Sequence, residues 1–187
     1  MRTVVEHRLE RMNAALDRLL LARATDVDYL RAKMKLLAKL GLIRYQQRRP
    51  DVEESFRQAQ RLADNLIARN PEEGYPHSDR SDVLEAHALV LEHQGKVAEA
   101  GQLLNAAMED LEWVAADGLR SLSLATRMES LADDFGWIDD TKRGDEVQKR
   151  ADEIDPRVPY PNRPRPGRPF GPRRLDPGPT QDDLQPR

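Results

Sequence analysis

The stretch from Ser81 to Leu111, SDVLEAHALVLEHQGKVAEAGQLLNAAMEDL, leaves this chain few architectures. Before Gly95, Leu84, Ala88 and Leu91 recur at helical spacing. After it, Val97, Ala100, Leu104, Ala107 and Leu111 follow one another by 3, 4, 3 and 4 residues. Each half predicts a helix with one narrow apolar stripe, and Gly95 predicts a tight turn between them. Small residues at Ala88, Ala100 and Ala107 let two helix backbones approach closely, while Leu91 and Leu104 fill the space between. The stretch reads as a close-packed helical hairpin.

These residues resemble a tetratricopeptide repeat (TPR), whose usual small and large positions coincide with Ala88, Leu91, Gly95, Ala100, Leu104 and Ala107. The sequence departs from that pattern at Leu84, His87 and Glu112, where the family often carries Trp, Leu and Pro. Moving the unit back by 41 residues places Ala100, Leu104 and Ala107 on Ala59, Ala63 and Leu66. Moving it forward by 44 places Ala88, Leu91 and Ala107 on Ala132, Phe135 and Ala151. Offsets in the low forties resemble the long-helix variety of the repeat, the kinesin light chain type, over residues 29–156. The resemblance implies an all-α fold of antiparallel hairpins stacked as a short array, working as a non-catalytic scaffold that holds another polypeptide. An irregular bundle of the same helices is the alternative.

The remaining helices are read from the same periodicity. Residues 1–25 form an N-terminal helix, Thr3 to about Ala24, in which Val5, Leu9, Met12, Leu16 and Leu19 make a short heptad seam. Two to three heptads are short for a free coiled coil, so the seam is expected to pack on the next helix; dimerisation is left open. Residues 26–155 form the repeat domain. Its helices run from Tyr29 to Gln47, capped by Asp26 or Asp28, and from Asp51 to Arg69 with Pro50 in the first turn. A polar segment, PEEGYPHSDR, precedes the central hairpin, where Asp82 and Glu85 offer a capping box. Gly118 stops the fifth helix. A sixth spans Leu119 to Phe135 and is ended by Gly136 in a positive-φ conformation. A seventh, Asp140 to Ile154, is sparse in apolar residues and weakened by Gly144.

Residues 156–187 are of another kind. They hold 10 Pro and almost no aliphatic side chains, so an extended or disordered tail with polyproline II character is expected. Seven Arg against 3 Asp give the tail +4, which leaves −7 for residues 1–155 given −3 overall. Arg163, Arg165, Pro166, Arg168 and Pro169 carry spacings of the kind that aromatic peptide-binding grooves accept. Such a tail suits an arm that wraps a partner, and an accessory subunit of a larger assembly is the second functional reading. Nucleic acid is less favoured: the body is acidic, and only Tyr160 and Phe170 could stack on bases within the tail.

Chemistry is conspicuous by its lack of convergence. There is no Cys, hence no disulfide or thiolate site, and the four His carry no metal-ligand spacing. His87 and His93 are six residues apart, about 600° of helical rotation, so they point to opposite faces. No phosphate-binding glycine loop or nucleophile elbow occurs. No enzyme activity, cofactor or metal is expected. The charged N-terminus predicts neither signal peptide nor membrane span, and with it a cytoplasmic location. An excess of Arg over Lys, 24 to 6, fits a GC-rich bacterial genome.

The TPR resemblance also implies where a partner lies: along the inner helices, on side chains turned away from the packing stripe. Carried onto this sequence, those positions are Asp82, Glu85, Leu89, Glu92 and His93, and then Thr126, Glu129 and Asp133. Five of the eight are acidic, so a negative groove preferring a basic, extended peptide is expected. The basic Arg163–Arg168 stretch of the tail is itself a peptide of that chemistry. Oligomeric state is left open.

Overall fold

In the computed structural model, which describes residues 4–118 and 122–155, the helical periods become seven α-helices among the described residues. They are α1 (Val4–Ala22), α2 (Val27–Gln46), α3 (Val52–Arg69), α4 (Gly74–His93), α5 (Val97–Ala116), α6 (Leu122–Trp137) and α7 (Thr141–Ile154). The most extensive pairings are α2 with α3, α4 with α5 and α6 with α7. The hairpins follow in order: α3 and α2 pack on α4, α5 packs on α6, α4 also touches α6, and α1 lies against α2. The tail beyond Asp155, including Arg163, Arg165, Pro166, Arg168 and Pro169, lies outside the described residues.

Two apolar clusters share α4 as a common wall. Val83 and Val90 face Leu30, Met34, Leu37, Phe56 and Leu66 of α2 and α3. Leu84, Ala88 and Leu91 face Ala100, Leu104, Leu111, Met128 and Phe135 of α5 and α6. A helix buried on both sides lacks the single stripe that marks an ordinary surface helix. The small-and-large alternation of the sequence is realised: Ala88 and Ala100 are both buried beside Leu91 and Leu104, and Gly95 turns the chain with φ 75°.

Three expectations are corrected. The fourth helix begins at Gly74, two turns before the expected capping box, so Asp82 and Glu85 lie inside it. Pro76 falls in the first turn, where its missing N–H has no intrahelical partner to lose. The polar residues of that turn are tied by charge and ring contacts that apolar periodicity does not register: the Arg31 guanidinium lies 4.6 Å from the Tyr75 ring centroid. Pro50 stands outside α3, and Asp51 takes the N-cap position with its carboxylate directed to Arg44 and Arg49. Gly136 does not end the sixth helix; the positive φ falls on Asp139 at 60°, a residue type whose short polar side chain tolerates that region. The Asp139 turn sends the chain on to Asp140, whose side chain caps α7 by accepting from the Arg143 N–H.

The heptad seam of α1 is also used only in part. Leu9, Leu16 and Leu20 pack half-buried on the α2–α3 cluster, while Val5, Met12 and Leu19 are exposed. Asp26 caps α2, accepting from the Tyr29 N–H at 3.2 Å. Arg44 ties three helices, donating to Ser55 of α3 at 2.7 Å and lying 3.6 Å from Glu10 of α1.

Gly144 has a packing reason that helix propensity hides. A Cβ there would sit 2.9 Å from the Ala132 carbonyl oxygen, so α6 and α7 meet at backbone contact. Alanine would gain roughly 1 kcal/mol of helix propensity, but the clash is with a backbone atom that cannot swing aside, and overpacking costs about 1–3 kcal/mol. Gly144→Ala is therefore expected to destabilise, read as a lower urea midpoint at unchanged slope. A rise in the midpoint would show that the two helices can separate freely.

Candidate functional site

The polar side chains that repeat along α4 reach every helix packed on it. Toward α2, Asp79 is buried and accepts from Arg31 Nε at 2.5 Å, with Lys35 Nζ 2.6 Å away. Burial opposes ionisation of Asp79, but the hydrogen bonds and charges of Arg31 and Lys35 outweigh it and hold the carboxyl below the usual aspartate range. Toward α6, the Arg127 guanidinium donates to Ser78 Oγ, to the Ser78 carbonyl, to Ser81 Oγ at 2.8 Å and to Asp82. Desolvation raises the Asp82 carboxyl and Arg127 opposes that shift; half of the side chain stays open to solvent, which limits the effect.

Toward α5, Asp110 is almost fully buried yet accepts three charge-assisted bonds. Arg80 grips it with Nε at 2.7 Å and Nη2 at 2.8 Å, and His77 Nδ1 donates at 2.7 Å. Arg80 also reaches Asp64 of α3 at 3.1 Å, and His77 stacks on Trp113 with centroids 4.2 Å apart. The fork geometry and the planar stack leave Asp110 no freedom to rotate. Toward α3, His87 lies flat on Phe56, centroids 4.6 Å apart. Gln60 Nε2 stands 3.2 Å from His87 Nδ1 and Glu53 lies 3.0 Å from Nε2, a pattern that assigns the ring proton to Nε2. Burial lowers the His87 pKa below its ordinary value and outweighs the Glu53 carboxylate.

The residues that the sequence places on a partner-binding face fall into two groups. Asp82, Glu85 and Leu89 follow one another by 3 and 4 residues along α4, and Leu89 belongs to neither apolar cluster. On α6, Thr126 is exposed, and Glu129 and Asp133 are partly buried. Glu92 is partly buried near the end of α4, and His93 is exposed, its ring stacked toward Tyr45 at 6.2 Å. The face is of mixed charge rather than uniformly negative, because Arg127 sits on it and pairs with Asp82.

Sequence reasoning missed Arg127, Asp79 and Asp110. A signal for the two acids was present: Asp79 is in phase with Val83 and Val90, and Asp110 with Ala107 and Val114, so each is an acid at a core position. Arg127 carries no such mark, since its four acceptors lie 45 to 49 residues away.

Among the described residues, no group of three or more His, Cys, Asp or Glu side chains is placed to hold a metal ion. An open cleft of about 440 Å³ lies between α5 and α7 over Met108 and Val147. Its charges are largely matched among themselves, Arg150 with Glu112 and Glu153, and Arg143 with Glu146. No helix among the described residues is long and apolar enough to cross a membrane. No protein-family model, curated protein or solved structure matches the chain.

Two outcomes test this polar frame. Asp110→Ala leaves Arg80 and His77 facing a buried void, and breaking a buried pair costs about 3–5 kcal/mol. Asp110→Asn keeps the shape without the charge and should fall between. Equal stability of wild type and Asp110→Ala in urea would mean that Asp64 alone satisfies Arg80. For His87, the unfolded ring takes up a proton near pH 6.5 while the folded one stays neutral to lower pH. Stability is therefore expected to fall as pH drops from about 6.5 toward the folded value, then to level off. His87→Leu should remove that share of the slope. An unchanged difference between the two proteins across the window would rule the assignment out.

Proposed function

We propose that the chain is a non-catalytic, cytoplasmic protein–protein interaction scaffold that holds another polypeptide along the side of α4 between α2 and α6. The observation that carries this reading is Leu89. It is a large apolar residue flanked by Ala88 and Val90, each buried in a different cluster, and it joins neither. It shares its row with Asp82 and Glu85, and Arg127 of the neighbouring helix pairs with Asp82 in that row. An apolar contact point ringed by charges is the chemistry of a peptide-holding face. The resemblance to a TPR array supports the same reading: hairpins that stack in sequence place α2, α4 and α6 side by side.

The basic, extended peptide expected from sequence remains the preferred occupant, since Glu85, Glu92, Glu129 and Asp133 outnumber Arg127 on the face. A photo-crosslinking amino acid at position 89 of the full chain tests this in the native source. A discrete cross-linked polypeptide is expected, lost in the double variant Glu85→Lys, Glu129→Lys at unchanged circular dichroism. Cross-links that survive the double variant, or none at all from this position, would refute the face. The accessory-subunit reading draws on a different feature, the exposed row of α1, whose large apolar side chains suit burial in an assembly.

A further inference from the structure

We propose that the outer side of α1 is a docking site for an amphipathic helix of another protein, one whose apolar stripe is flanked by acidic residues. The inference goes beyond the face on α4 and α6, because it concerns a separate surface. Val5, Met12 and Leu19 are 56%, 55% and 44% exposed, and at seven-residue spacing they stand in one line. The companion row, Leu9 and Leu16, is already half-buried against the α2–α3 cluster. The heptad seam is thus split: one row holds α1 to its own chain, and the other faces solvent.

Charge decides what fits there. On the far flank of α1, Asp17 pairs with Lys33 and Glu10 lies 3.6 Å from Arg44, so the acidic row is used in docking α1 onto α2. On the opposite flank Arg8, three residues after Val5 and four before Met12, stands beside the apolar row, and Arg11 and Arg18 lie one row further round; all three are exposed. Arg8 and Arg11 make no ion pair with any described residue. The same logic that joins α1 to α2, apolar row plus opposite charges, therefore calls for acids on the helix that covers the outer row.

A second copy of the chain fits poorly, because two-fold antiparallel pairing would set the basic flank of α1 against its own image. A lipid surface also fits poorly. The seven-residue row is a single side chain wide, and Val4 and Leu21, also exposed, stand elsewhere around the helix rather than widening it into the broad apolar face a bilayer takes.

The test uses the full chain and a labelled synthetic heptad peptide with Leu at its seam positions and Glu at its flanks. A matched peptide carrying Lys in place of Glu is the comparison. Saturable binding of the Glu peptide is expected, with the Lys peptide weaker by about tenfold or more. Met12→Glu, at a half-exposed position on the edge helix, should abolish binding. Arg8→Glu with Arg11→Glu, at exposed sites, should shift preference toward the Lys peptide. The double variant Glu85→Lys, Glu129→Lys should leave peptide binding unchanged, so failure here and failure of the α4 face are separable. Equal binding of both peptides would overturn the proposal, as would no binding of the Glu peptide. So would a dimer of the chain that Met12→Glu dissociates, or attachment to anionic vesicles in place of peptide.

Discussion

The grip of Arg80 and His77 on Asp110 sets the terms for the rest of the molecule. An acid at a position in phase with Ala107 and Val114 would ordinarily be excluded from an apolar interior. It is held there because two cationic or proton-donating groups one helical turn apart on α4 meet it together. That arrangement fixes the rotation of α4 about its own axis relative to α5. Once the rotation is fixed, Leu84, Ala88 and Leu91 face one cluster and Val83 and Val90 the other. Asp79 toward α2 and the Ser78–Asp82 acceptors toward α6 are then presented at two of the three remaining joins. Apolar burial supplies most of the favourable free energy, but it is non-directional. The ion pairs on α4 are directional, and their geometry matches the observed rotation of the helix.

The helices were legible in the sequence where one side of a helix carried all of its apolar residues, as in α3 and α5. The corrections fall where that condition fails. The first turns of α4 are polar, and their burial is bought by ion pairs with residues on α2, α5 and α6. No local pattern records such partners. Asp139 rather than Gly136 took the positive φ because Gly136 continues α6, a choice local propensity could not make. Gly144, read as a weakness, is a condition for backbone contact between α6 and α7.

The candidate face was legible in part and for a reason worth separating. Asp82, Glu85 and Leu89 do share one row of α4, because a helical row follows from spacing alone. Their electrostatic setting does not follow from spacing: Arg127 comes from the next hairpin and offsets the charge of Asp82. The same distinction applies to α1. Its seven-residue repeat was visible, but which of its two rows would be consumed by α2 depended on Lys33 and Arg44.

The double-sided burial of α4 bears on where this chain could be divided. A break at the exposed Gly95 turn would give the first fragment a complete α2–α3–α4 cluster, with the far side of α4 stripped of its cover. The second fragment would keep α5, α6 and α7 but lose Leu84, Ala88 and Leu91 from its interior and the Arg80 and His77 partners of Asp110. The two pieces are unequal: one is a small domain with a sticky wall, the other a core with a missing side. Recombining them would rebuild the seams of α4 with α5 and α6 in known register, which makes the Gly95 turn a natural point for a split-protein reporter in which association is read out as refolding.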